Sequence, residues 1–269
     1  MQLFMSPSRL TNTTIQKNKT FMKNFVLACM ILFTLTACAE VVVNQGDKVQ
    51  ENRSLSGFER IEQLGSLDVK YQQADSFSVQ VSAPERVIKY VKTWVEDNKL
   101  IVCMEGKNIN IGLNDGSHVT VYVTSPDFLG IELKGSGGFE CKKPLDTDRL
   151  DVRLKGSGDI DFQDIICDHV NVSLEGSGDI ELKKVVAQQS DIELVGSGDM
   201  KIHQQKVRQT KVNLKGSGRV ELDSKDGGLV DTRLAGSGDI RLTGDIASHT
   251  TYKVGSGEVE TKHLNIKEK

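Results

Sequence analysis

Gly-Ser-Gly occurs seven times between Gly135 and Gly257, and four of the copies are followed by aspartate. A glycine-rich turn beside a hydroxyl and a carboxylate invites three chemistries: a phosphate cradle, a nucleophile turn and a cation ladder. The first needs a lysine and a second hydroxyl at P-loop spacing, and the second needs Gly-x-Ser-x-Gly; Gly-Ser-Gly-Asp supplies neither. The third rests on the column after each second glycine, which reads Gly138, Asp159, Asp179, Asp199, Arg219, Asp239 and Glu258. Arg219 stands where a calcium ladder needs an oxygen, so charge compensation along a solvated edge is the better reading. His118, His169, His203, His249 and His263 do not pair at metal-ligand spacing. Cys103, Cys141 and Cys167 make no C-x-x-C pair, and a disulfide between two of the three is left open. No catalytic, cofactor or metal residues are assigned, because uniform repeats offer no asymmetric constellation for chemistry.

The elements that hold these residues are set by the spacing. The paired glycines are Gly135 and Gly137, Gly156 and Gly158, Gly176 and Gly178, Gly196 and Gly198, Gly216 and Gly218, Gly236 and Gly238, and Gly255 and Gly257. A period of about twenty residues marks a solenoid with one supersecondary unit per repeat. Apolar residues alternate on both sides, as in Val152 and Leu154 before Gly156-Ser157-Gly158 and Ile160 and Phe162 after it. Period-two alternation gives one buried and one solvated face, and only stacked units can bury that face. The expectation is an all-β, right-handed, single-stranded parallel β-helix of about 20 residues per coil. Its inward pairs end with Tyr252/Val254 before the last tripeptide and Val259/Thr261 after it. Both glycines of each tripeptide are expected to point inward at a wall corner, with the serines forming an outer hydroxyl ladder.

Residues 131–269 hold these repeats and a C-terminal cap, whose charges at Lys262, Lys267, Glu268 and Lys269 blunt the open edge. Residues 56–130 read as an irregular N-terminal β region. Short alternating runs around Leu67, Val79, Ile101 and Val121 are separated by turn formers. Pro84 to Val95 is the exception, with apolar residues at helical spacing after a proline. Trp94, the one tryptophan, reads as a packing anchor in that segment, and Cys141 as a small inward filler.

The chain starts with a processing signal rather than a fold. Met22-Lys23-Asn24 precedes an apolar run from Phe25 to Leu35, too short to span a membrane. Residues 1–38 are read as a signal peptide whose true start is Met22, and residues 39–55 as a tether. Leu35-Thr36-Ala37-Cys38 resembles the lipobox of bacterial lipoproteins. That resemblance implies diacylated Cys38 as the first mature residue, anchored in a membrane by its acyl chains. Ala39, in place of aspartate, favours the outer membrane, with its face left open. Net charge is −3 and no basic stripe appears, so nucleic acid is not an expected partner.

The span from Ser56 to Gly257 resembles the putative auto-transporter adhesin head (head GIN) domain family. The resemblance rests on Ser56-Gly57-Phe58, Asp68-Val69, Val119 to Val123 before Pro126, Leu133 and the Gly-Ser-Gly-Asp-Ile repeats. It implies a β-helical protein of the cell envelope and supplies no catalytic residues. The expected function is a lipid-anchored binding surface, adhesive toward a surface protein or a glycan. The alternatives are a carbohydrate-active enzyme and a purely structural envelope component.

Overall fold

The computed structural model describes residues 41–42, 47–105, 110–111 and 118–267; the signal segment and Cys38 lie outside them. A two-residue parallel pairing joins Val41–Val42 to Asn110–Ile111. It forms a unit separate from the solenoid. No helix among the described residues is long and apolar enough to cross a membrane.

Most of the remaining strands wind into stacked coils of about twenty residues, and the repeats have three walls. The first wall stacks Arg60–Gly65, Gly130–Gly135, Arg149–Gly156, His169–Gly176, Gln189–Gly196 and Gln209–Gly216 in parallel. The second wall stacks Asp68–Gln73, Gly138–Cys141 and Asp159–Phe162, then continues through the strands that begin at Asp179, Asp199, Arg219, Asp239 and Glu258. A short third wall begins with Leu145–Asp146 on Ile165–Ile166. Parallel in-register stacking puts equivalent residues of successive coils next to one another. Leu133, Leu154, Leu174, Leu194, Leu214 and Leu234 therefore form one column, each at most 1% exposed. Tyr71, Phe128, Phe139 and Phe162 fill the core of the coils nearest the N-terminal end as a series of neighbouring rings.

The glycines explain why the corner repeats. The first glycine of each tripeptide has φ between +115° and +143°, a region L side chains avoid. A Cβ on Gly196 would overlap the carbonyl oxygen of Gly176 below it, and one on Gly198 would overlap that of Gly178 and meet Leu174 Cδ2 at 2.7 Å. That close approach lets the ladder run unbroken through the bend. The Gly176 carbonyl accepts the N–H groups of Ser197 (2.9 Å) and Gly198 (3.2 Å), and the Gly178 carbonyl accepts that of Asp199 (3.2 Å). The second glycines are buried and the serines exposed. The hydroxyl ladder expected of the serines closes at a single rung among the described residues, Ser256 Oγ to Ser237 Oγ at 3.0 Å.

The N-terminal part departs from simple winding. Strands Lys99–Met104 and Thr120–Ser125 lie beneath Arg60–Gly65 and Asp68–Gln73, although they follow them in the chain. The coil of residues 60–73 is thus held between a later coil and the first full repeat. Three antiparallel strands cover the end: Val91–Glu96 on the first wall, and Ser78–Pro84 with Lys48–Arg53 on the second. The segment read as a tether therefore includes a paired strand. The short helical turn expected within 84–95 is Glu85–Ile88, after which Val91, Thr93 and Val95 extend into the sheet, as β-branched residues prefer. Trp94 is 39% exposed on the outer face, opposite Ile101, rather than a buried anchor.

The last coil corrects the inward columns. Leu234 pairs with Lys253 and Thr232 with Thr251, so Tyr252 and Val254 stand beside Arg233 and Ala235 on the outer face. They are 66% and 54% exposed. Lys253 Nζ turns back to the Gly257 carbonyl at 3.0 Å. Cys141 and Cys167 are buried and Cys103 half-buried, all three as free thiols. Burial pushes the Cys141 thiol up to about 11 and that of Cys167 to about 12.

Candidate binding surface

Because register is kept from coil to coil, the outward side chains form straight rows across each wall. On the second wall the row after the tripeptide runs Asp68, Gly138, Asp159, Asp179, Asp199, Arg219, Asp239 and Glu258. The next outward row runs Lys70, Glu140, Asp161, Glu181, Lys201, Glu221, Arg241 and Glu260. Like charges so placed raise one another's proton affinity. Burial first, then Asp179 and Asp68, holds the Asp159 carboxyl above its usual range. Burial also raises Asp161, helped by Glu181 and Glu140 against the opposing pull of Lys183. Opposite charges break the rows: Arg241 bridges Glu221 (3.2 Å) and Glu260 (2.9 Å). Among the described residues, no group of three His, Cys, Asp or Glu side chains is placed to hold a metal ion.

Gly138, which replaces the acidic residue of its row, has a local cause. The coil of residues 60–73 carries its own corner, Gly65-Ser66-Leu67, with leucine in place of the second glycine. The Leu67 carbonyl accepts from the Gln63 amide at 2.6 Å, and the Gly138 N–H donates to Asp68 Oδ1 at 3.0 Å. Two side chains thereby supply what the backbone ladder supplies elsewhere. A Cβ at Gly138 would stand 3.2 Å from Asp68 Oδ1, and a carboxylate there would face a second carboxylate. Gln63 fills the leucine column fully buried. This eighth corner escaped the repeat count because Leu67 breaks the tripeptide; Gly65-Ser66 before Asp68-Val69 was the available signal.

The first wall carries a mixed hydrogen-bonded row. Arg60 reaches across Gly130, where no side chain intervenes, to Asp151 Oδ2 at 2.9 Å. Asn171 donates to Asp151 Oδ1 at 2.8 Å, and His169 Nε2 lies 3.1 Å from Asp191 Oδ2. Glu62 accepts from Lys134 (2.8 Å) and Lys99 (3.0 Å), and these bonds hold its carboxyl below the usual range against burial.

Two shallow grooves interrupt the second wall. One, of about 310 Å³, lies among Asp179, Glu181, Asp199, Lys201, Arg219 and Glu221. The other, of about 240 Å³, lies at the N-terminal end among Lys70, Gln72, Tyr122, Glu140, Lys142 and Lys143. Sequence reasoning had not singled out Tyr122, because it sits in a β region without the repeat's spacing.

The family model described as putative auto-transporter adhesin, head GIN domain, matches residues 57–246 and again 191–268. The chain belongs to this family. Solved structures share the head GIN fold. A putative adhesin from Bacteroides fragilis is 23% identical, with 82% of this chain and 98% of that one covered and a TM-score of 0.71. A putative adhesin from Parabacteroides distasonis is 21% identical, covering 80% and 97% at a TM-score of 0.64. A protein from the same organism titled a putative lipid binding protein is 23% identical, covering 83% and 98% at 0.66. At such identities these likenesses concern the fold. No curated protein matches the chain. The head GIN core and the glycine corners coincide: the match begins at Gly57, just before the first strand of the stack.

Proposed function

We propose that this head GIN protein is a lipid-anchored component of a bacterial envelope, in the outer membrane, whose solenoid presents an extended surface for adhesive binding. The observation that carries the reading is the combination of a filled core with regular outer rows. Side chains occupy the interior, so ligand contact falls to the walls, where registered charges form a rigid, wide and polar face. Such a face suits recognition by many modest contacts, as polar interfaces do. The anchor rests on Leu35-Thr36-Ala37-Cys38 following an apolar run. Two or more acyl chains hold a protein at a membrane stably.

The test compares attachment of intact cells carrying the wild-type gene, a deletion, and a deletion complemented with Cys38→Ser. Attachment to host cells or extracellular matrix is expected to fall in both altered strains. Attachment equal to wild type in the deletion strain would refute adhesion.

A further inference from the structure

The geometry points to the Tyr122 groove as a binding subsite for an acidic sugar, a uronic or sialic acid unit of a glycan. This deepens the adhesive reading by naming the ligand class, and it rests on that reading. Tyr122 is 42% exposed on the outer face, in register between Gln80 on one neighbouring strand and Lys70 on the other. The next strand brings Glu140 beside Lys70, and Lys142 and Lys143 follow. Glu140 lies 3.6 Å from Lys70 Nζ and 2.7 Å from Lys142 Nζ. Three lysines thus line the groove with one carboxylate, whereas the adjoining stretch of the same wall is acidic at Asp161 and Glu181. Cations recur farther along the wall at Lys183, Lys201, Arg219 and Arg241, but the groove that holds Lys201 and Arg219 contains no aromatic ring, so lysines and an exposed ring come together at this recess.

A single exposed tyrosine is ordinary; its setting is what carries the argument. The recess, about 240 Å³, is smaller than the ~300 Å³ at which drug-sized pockets begin. It therefore fits one ring of a larger molecule. An aromatic face with a polar rim suits a pyranose, which has an apolar C–H face and hydroxyl edges. Lysine ammonium groups, as compact point charges with three donors each, suit a sugar carboxylate. A peptide adding as a strand is disfavoured, since Thr120–Ser125 is paired on both sides.

The test uses the mature chain, titrated calorimetrically with oligogalacturonate, its methyl ester, a hyaluronan tetrasaccharide and sialyllactose. At least one acidic sugar is expected to bind, with affinity falling as salt rises. The methyl ester should bind about 10-fold more weakly than oligogalacturonate if that is the sugar bound. Tyr122→Ala and the double variant Lys70→Met/Lys142→Met should each lose about 10-fold or more, with the melting temperature unchanged. No binding to any acidic sugar, or equal binding by Tyr122→Ala, would overturn the subsite. Cells carrying Tyr122→Ala separate the two readings. Wild-type attachment would overturn the sugar subsite and leave adhesion standing. Lost attachment without sugar binding in the purified wild type would assign the groove to a protein partner and overturn the sugar.

Discussion

Glycine decides the fold residue by residue, and its role is steric before it is conformational. At Gly196 the backbone sits at φ +135° with the Gly176 carbonyl oxygen where a Cβ would go. Gly196→Val is therefore expected to cost about 3 kcal/mol or more, from strain and overpacking together. Thermal melting measures it, and an unchanged melting temperature would show that the corner tolerates a side chain. Glu62 sets a pH dependence whose sign follows from its lysine partners. Its folded carboxyl titrates below the ordinary value near 4.5. The stabilisation is present above the unfolded value and is lost as pH falls through and below it toward the depressed folded value. Glu62→Gln should flatten that part of the acid limb of a stability–pH curve; an identical limb would contradict the assignment. Asp159 and Asp161 act in the opposite sense, because their raised carboxyls regain stability as pH falls.

Among the elements, the repeats were legible with their register, whereas at the N-terminal end the strands around Val69, Val79, Ile101 and Val121 were legible but their pairing was not. Val152, Leu154, Ile160 and Phe162 alternate around a fixed tripeptide, so wall, corner and register follow from spacing alone. The strand Lys48–Arg53 carries one half-buried valine and no inward apolar row, so its pairing with Ser78–Pro84 had no periodic signal. The late insertion of Lys99–Met104 and Thr120–Ser125 beneath an earlier coil is a long-range pairing that local pattern does not encode. Tyr252 and Val254 misled for a different reason: they are apolar, but the corner at Gly255 fixes the phase and turns them outward. The same phase puts Lys253 at the end of the leucine column. A charged terminal rung keeps the open edge from stacking on another solenoid. Lys253→Leu should therefore promote self-association at unchanged secondary structure, measured by light scattering; a monodisperse monomer would count against this role.

At the scale of the whole molecule, stacked registry converts a short repeat into a broad polar wall over a mostly apolar core. What the wall recognises was not legible in the repeats, because the Tyr122 groove belongs to the irregular end, where asymmetry is available. The proposed adhesive role depends on anchoring through Cys38 and on display outside the cell. The most direct measurement is protease treatment of intact cells, with the cell fraction and the released fraction probed for the solenoid. The wild-type solenoid should leave the cell fraction and be recovered as a released fragment, while Cys38→Ser should not be retained on cells before treatment. Full protection of the wild-type chain on intact cells, with cleavage only after lysis, would contradict surface presentation.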